Sequence, residues 1–239
     1  MEKISKRDVQ TLAASSGDVA GYDLSGVNLG GMDLIGFTFD GSSFKGADLS
    51  GTNFSGSSFN NCDLSGCDLS SSNFTGVSFR KANLQKTDLT FSTFVAADFS
   101  ETDLNEADFT NSKMSAACFE HANLSGANLQ MTDAGMIRCN GAKMPKIHAR
   151  GASMIGADLS GCDLREAKLH GTDLSKASLA SADLRQADIL DSTFTAADLT
   201  NADMRDARFK RTDLTRAKLD GLKYDDALTD MISRYSRRK

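Results

Sequence analysis

The chain has no tryptophan, a single proline, and only 7% aromatic residues in 239. No apolar run is long enough to cross a bilayer, and no apolar-centred leader opens the chain, so a cytoplasmic protein without membrane contact is expected. Only three histidines occur, at 121, 148 and 170, without a third ligand type at metal-binding spacing. The five cysteines, at 62, 67, 118, 139 and 162, lack the paired spacing of a zinc site, and their odd number points to a reducing compartment. No cofactor is implied. What the chain has in abundance is one period.

From Tyr22 to Gly221 an apolar residue returns at every fifth position without insertion or deletion, as in Cys62-Asp63-Leu64-Ser65-Gly66 and Cys67-Asp68-Leu69-Ser70-Ser71. With that residue called i, the stretch holds 40 units, and i is Leu, Phe, Met or Ile in 37; the breaks are Ala134, Cys139 and Ala149. Position i−2 is small, usually Ala, Ser, Thr or Cys. A period of five matches neither a helix face nor an alternating strand. Units this short bury their apolar residue only by stacking on neighbours.

A second period of twenty lies beneath the first. Phe39, Phe59, Phe79, Phe99 and Phe119 lead through Cys139 to Leu159, Leu179, Leu199 and Leu219. At i−2 of another column, Thr52, Ser72, Ser92, Ser112, Thr132, Ala152, Thr172, Ser192 and Thr212 form a nearly unbroken hydroxyl ladder. Where i shrinks, i−2 grows: Ile137 precedes Cys139 and Ile147 precedes Ala149, as a close-packed interior demands. Cys62, Cys67, Cys139 and Cys162 fall at these inward positions and read as small buried hydrophobes. Cys118, at the outward i−1, is expected to be reachable.

The pattern A-(D/N)-L-x-x resembles the pentapeptide-repeat family over about five-sixths of the chain. That resemblance implies an all-β fold: a right-handed quadrilateral parallel β-helix with one pentad per side, about ten coils and short terminal helices. Ten coils at the β spacing would give a rod of roughly 48 Å. Residues 1–17 are expected as a capping helix and lead-in, 18–221 as the β-helix, and 222–239 as a C-terminal helix with a basic tail. Ser5 to Asp8 reads as a capping-box start, and covering an open β-helix end is the use expected of the helix it begins. Glycines at i+2 read as corners, and no phosphate loop is implied.

Leu228, Met231, Ile232 and Tyr235 lie on one face of a helical pattern. Two uses stay open: a cap on the last coil, or a homodimer through this helix, as related proteins form.

A smooth rod without inserted loops offers no catalytic cavity, so an enzyme is not expected. Charge is more informative. Residues 20–125 carry 13 acids and 5 bases, and residues 126–239 carry 16 and 19. Asp48, Asp68, Asp88 and Asp108 would stack on one side, with neighbours repelling by roughly 1 kcal/mol per pair. This ladder is either the family's ordinary i−1 residue or an acidic strip read by a basic partner. Around 132–151 a basic girdle of Arg138, Lys143, Lys146, His148 and Arg150 accompanies the least regular repeat, where Pro145 is expected to remove a ladder donor. Phe91, Met131 and Met136 take outward or corner positions and with these charges could mark an interaction patch.

Two functions follow. One is a non-catalytic scaffold rod that binds a protein partner through flat charged faces, without direct nucleic-acid contact. The other comes from the resemblance: family members linked to fluoroquinolone resistance imitate B-DNA and bind DNA gyrase, a topoisomerase. That resemblance is partial, because only half of this rod would be acidic and the side loops of some resistance members are absent.

Overall fold

Parallel bridges join residues twenty apart throughout the chain, from Lys3↔Asp23 and Asp18↔Thr38 to Asp203↔Lys223. The computed structural model, which describes residues 1–229 and 232, is therefore a β-helix in which four pentads close one coil. Its four faces are numbered from face 1, which carries Leu24, through face 2 (Leu29) and face 3 (Leu34) to face 4 (Phe39). Most faces contribute one bridging residue per coil; face 2 extends to three in β1 (Asp188–Leu190), paired in parallel with β2 (Arg208–Lys210).

Backbone accounting explains the five-residue motif. Around Leu49, the N–H groups of Asp48, Leu49 and Gly51 bond to neighbouring coils, at the carbonyls of Val27, Asp68 and Ser70. Ala47 N–H closes a turn on the Phe44 carbonyl at 2.7 Å. The remaining donor, Ser50 N–H, goes to the side chain of Asp48 at 3.1 Å. The same i+1 to i−1 bond recurs at Ser70–Asp68, Thr90–Asp88 and Gln130–Asn128. The Asp or Asn of the motif is thus a bend cap, satisfying the one donor the ladder leaves over.

This bond corrects the expectation at Pro145. The i+1 nitrogen makes no ladder bond, and with Lys143 at i−1 there is no acceptor to cap it, so the proline removes nothing from the ladder. Its carbonyl still accepts from Gly126 N–H at 2.9 Å.

Each pentad turns its corner with a left-handed residue at i+2. Gly66 has φ 65°, but twenty-four non-glycine residues do the same, among them Lys86 at 55° and Phe91 at 57°. Stacking imposes the bend; glycine only removes a cost of about 1 kcal/mol at each such corner.

Inside, Phe39, Phe59, Phe79, Phe99 and Phe119 stack with centroids 4.8–5.3 Å apart and planes within 21°. On face 3, Phe54, Phe74 and Phe94 do likewise at 5.3 and 5.1 Å. The hydroxyl ladder is buried and fully used: Ser72 Oγ donates to the Leu49 carbonyl at 3.0 Å and accepts from Thr52 N–H at 3.1 Å. Thr132 departs from the pattern and donates to Leu129 in its own coil.

Buried thiols behave similarly. Cys62, Cys67 and Cys162 donate to the carbonyls of Phe39, Phe44 and Cys139, and burial pushes each thiol up to about 12. Cys118 is not reachable as expected: it is 7% exposed. Its sulfur lies 3.3 Å from Ser100 Oγ, itself buried, and Arg138 occupies the same position one coil on. An i−1 side chain this short lies within the stack, between neighbouring side chains.

At the N-terminal end α1 (Lys6–Ala13) starts with the capping box: Asp8 N–H donates to Ser5 Oγ at 3.3 Å, and Ser5 N–H to the Asp8 carboxylate at 2.8 Å. Lys3 already bridges Asp23, so the chain pairs in register before the helix begins. The helix then stands where the second and third pentads of that coil would lie, with Val9 fully buried. At the other end a 3-10 turn, Asp226–Leu228, follows the last bridge. Leu228 and Ile232 are buried in the continuous core, the position of a cap; Met231 and Tyr235 lie outside the described residues.

Candidate protein-binding face

Face 2 brings the charged candidates together. Its i−1 column stacks Asn28, Asp48, Asp68, Asp88, Asp108, Asn128, His148, Lys168, Asp188 and Arg208, each bridged to the next. In every ladder aspartate Oδ1 caps its own bend, from Ser50, Ser70, Thr90 and Thr110 N–H at 2.8–3.1 Å. Asn28 also donates to Asp48 Oδ2 at 2.7 Å. Hydrogen bonds from Ser50 hold the Asp48 carboxyl below its usual value. Among the described residues, no ladder aspartate has a basic side chain within ion-pair distance. Part of face 1 is built differently. On face 1, Arg165, Arg185 and Arg205 each clasp the aspartate two residues earlier through two nitrogens, at 2.6–2.9 Å.

Beyond Asn128 the sign of face 2 reverses. His148 and Lys168 follow in the i−1 column, and Arg150, His170 and Lys210 in the i+1 column. Burial, then the charge of Lys168, holds the His148 imidazole below its usual pKa. His170 Nε2 lies 3.5 Å from Asp191, which Arg211 also grips. Arg150 and Lys168 have no carboxylate within ion-pair distance among the described residues. Two adjoining hollows open between these side chains, beside a corner that is bare at Gly171, while Met131 lies over Gly151. One, of about 390 Å³, is lined by Gln130, Met131, Arg150, Gly151, His170 and Gly171. The other, of about 280 Å³, includes His148 and Lys168.

The basic girdle does not form one patch. Arg138 sits on face 4, 3.6 Å from Glu120; Lys143 is on face 1; Lys146 is at the corner between faces 1 and 2, 3.6 Å from Glu166. Only His148 and Arg150 share a face, and the residues that join them, Lys168 and His170, come from the next coil. Adjacency in sequence selected the wrong neighbours, whereas the twenty-residue spacing identifies the right ones. Phe91 and Met131, 64% and 63% exposed, share the corner of faces 2 and 3; Met136 lies on the opposite corner of face 3, and Ile155, which the sequence reading did not single out, lies on face 3 between them.

Among the described residues no three His, Cys, Asp or Glu side chains are grouped to hold a metal ion, and no helix is long and apolar enough to cross a membrane.

A family model for the pentapeptide repeat region matches residues 33–109, and one for pentapeptide repeats (8 copies) matches 92–130, 137–171, 152–189 and 191–223. The chain belongs to the pentapeptide repeat family. Among solved pentapeptide repeat proteins it is similar to HetL of the cyanobacterium Nostoc sp. strain PCC 7120, involved in regulation of heterocyst differentiation. The two are 25% identical, with 93% of this chain and 98% of HetL covered and a TM-score of 0.76. QnrB1, a plasmid-mediated fluoroquinolone resistance protein, is 23% identical over 85% of this chain and 96% of its own, with a TM-score of 0.37. A pentapeptide repeat protein of the Arabidopsis thaliana thylakoid lumen is 24% identical over 48% of this chain and 77% of its own, with a TM-score of 0.29. No curated protein sequence matches.

Proposed function

We propose that this pentapeptide repeat protein is a non-catalytic rod, right-handed and of about ten coils, that recognises a protein partner through face 2. The supporting observation is that this flat face stacks four aspartates, at 48, 68, 88 and 108, and beyond them Arg150 and Lys168, none with an ion-pair partner among the described residues. Face 1, by contrast, holds Asp163, Asp183 and Asp203 in clasps with Arg165, Arg185 and Arg205. Unpaired charge on a flat surface gives orientation and partner choice more than affinity. HetL, a neighbour of the same fold, serves regulation, a task such a rod can perform by binding.

The test compares full-length variants as bait for one identified partner. Arg150→Glu/Lys168→Glu should abolish capture, and Arg185→Ser on face 1 should not. Equal loss from both faces, or none, would refute the assignment to face 2.

A second reading draws on the same ladder, whose carboxylates repeat at roughly 4.8 Å: a nucleic-acid mimic that binds DNA gyrase and shields it from fluoroquinolones. The reversal of sign beyond Asn128 confines it to half of the rod. A supercoiling assay with and without ciprofloxacin decides it; no effect at micromolar protein removes this reading.

A further inference from the structure

Face 2 reads as its own complement when turned end for end about the coil of Asn128. Two copies laid face to face and antiparallel are related by a two-fold axis running across the face, so that i−1 meets i−1 and i+1 meets i+1. Residues equally far from the axis coil then oppose each other. Asp108 meets His148, Asp88 meets Lys168, and Asp48 meets Arg208. On the corner between faces 1 and 2, Glu106 meets Lys146 and Lys86 meets Glu166, joining the two ion pairs that each chain already holds, Lys86–Glu106 at 3.8 Å and Lys146–Glu166 at 3.6 Å. One like-charged pair remains, Asp68 with Asp188, and Arg208, 3.3 Å from Asp188 on its own chain, is shared between that pair and Asp48.

Apolar groups on the other corner obey the same operation. Met131 falls on the axis and meets its own copy. Phe91, two coils before it, falls on Gly171, two coils after it, where the bare corner borders the 390 Å³ hollow lined by Met131 and His170. The prominent exposed ring of this corner thus lands on a recess of the same corner. Register is selected as well: sliding one copy by one coil sets Glu106 against Glu166 or Lys86 against Lys146.

We propose that the chain pairs with a second copy of itself through face 2, antiparallel and centred on the coil of Asn128 to Met131. This rests on the reading of face 2 as the binding surface and names its partner. Closed isologous pairs are the commonest form of protein self-association, and they require a patch that is self-complementary in this way. The pairing differs from a dimer made by the C-terminal segment, because Leu228 and Ile232 are buried against the rod's own core.

Charge reversal with rescue tests it on the full-length chain. In 50 mM NaCl, light scattering should give twice 25.5 kDa, and 500 mM NaCl should dissociate the pair. Asp88→Lys alone and Lys168→Asp alone should each weaken pairing at least tenfold, and the two together should restore it, with unchanged circular dichroism as the folding control. Orientation is read by a short bismaleimide: Met131→Cys should cross-link to itself and Asp48→Cys should not. A parallel pair, with its two-fold along the rod, would instead bring the two copies of position 48 together and carry the two copies of position 131 to opposite corners. The five native cysteines are buried and do not compete. A monomer at 200 μM in low salt, a dimer indifferent to both reversals, or self-linkage at position 48 overturns the proposal. If the chain is monomeric while face 2 variants still lose a partner of another sequence, self-pairing falls and the wider binding function stands. If it pairs as described but no other partner depends on face 2, the wider function falls instead.

Discussion

The coils of residues 39–119 and those of 139–219 share one backbone and differ in nearly everything hung on it. The first set is filled by two stacks of phenylalanine rings and is sparsely countered outside, with four ladder aspartates unpaired on face 2. The second is filled mainly by Leu, Ile, Met and Ala, and outside it most acids are held by a neighbouring Arg or Lys. The inward and outward positions of the pentad therefore vary independently, because the hydrogen-bond ladder fixes the tube and leaves each side chain a local role. A solenoid can change its surface chemistry halfway along without changing its fold.

The comparison breaks most visibly in the core. Phe79→Ala, between rings 5.3 and 5.0 Å away on either side, should cost about 3–5 kcal/mol in chemical denaturation, and Leu179→Ala in the aliphatic column about 3 kcal/mol. Equal values would show that stacked rings contribute no more than their volume.

Acid should act mainly on the paired half. Hydrogen bonds from the arginines two residues on hold Asp163, Asp183 and Asp203 below the usual carboxylate range, and bonds from Thr200 and Lys218 bring Asp198 to about 2. A depressed carboxylate stabilises fully above its unfolded pKa and loses that contribution as pH falls through the folded one. Thermal melts should thus be flat down to about pH 4.5 and fall between pH 4 and 2. Asp203→Ala should cost about 1 kcal/mol at neutral pH and reduce the fall. A melting temperature unchanged to pH 2 would contradict this.

Corners offer a smaller effect. Gly66→Ala places a methyl in open space but in a left-handed conformation, and should cost about 1 kcal/mol. No loss would mean that the stack tolerates Ala there as readily as it does Ala96 and Ala116, which carry the same turn.

Smallest and most telling are opposite signs from one substitution type. Asp68→Asn keeps a bend-capping oxygen and removes ladder repulsion, so it should stabilise by about 0.5 kcal/mol at low salt. Asp183→Asn keeps the cap but loses the Arg185 clasp, so it should destabilise by a similar amount. The same sign at both sites would show that the ladder is not electrostatically strained.

Legibility followed the same division. The column from Phe39 to Leu219 and the hydroxyl ladder were readable because stacking repeats every twenty residues, and the capping box at Ser5 because it is local. Cys118 and Pro145 were misread because the i−1 and i+1 positions interact sideways, with each other and with the next coil. The site was read least well. Arg138, Lys143 and Arg150 lie close in sequence yet point from three faces, while Lys168 and His170 lie a full coil from their partners.

By itself the sequence determined the period, the inward residues and the sum of charges in each half, since these need only the regular stacking of identical units. Tertiary structure alone decided which charges are neutralised, which nitrogen each aspartate caps, and that the corner at Gly171 is bare while Phe91 stands exposed. Those outcomes depend on distances across coils, which the turn of the tube sets and no single pentad contains.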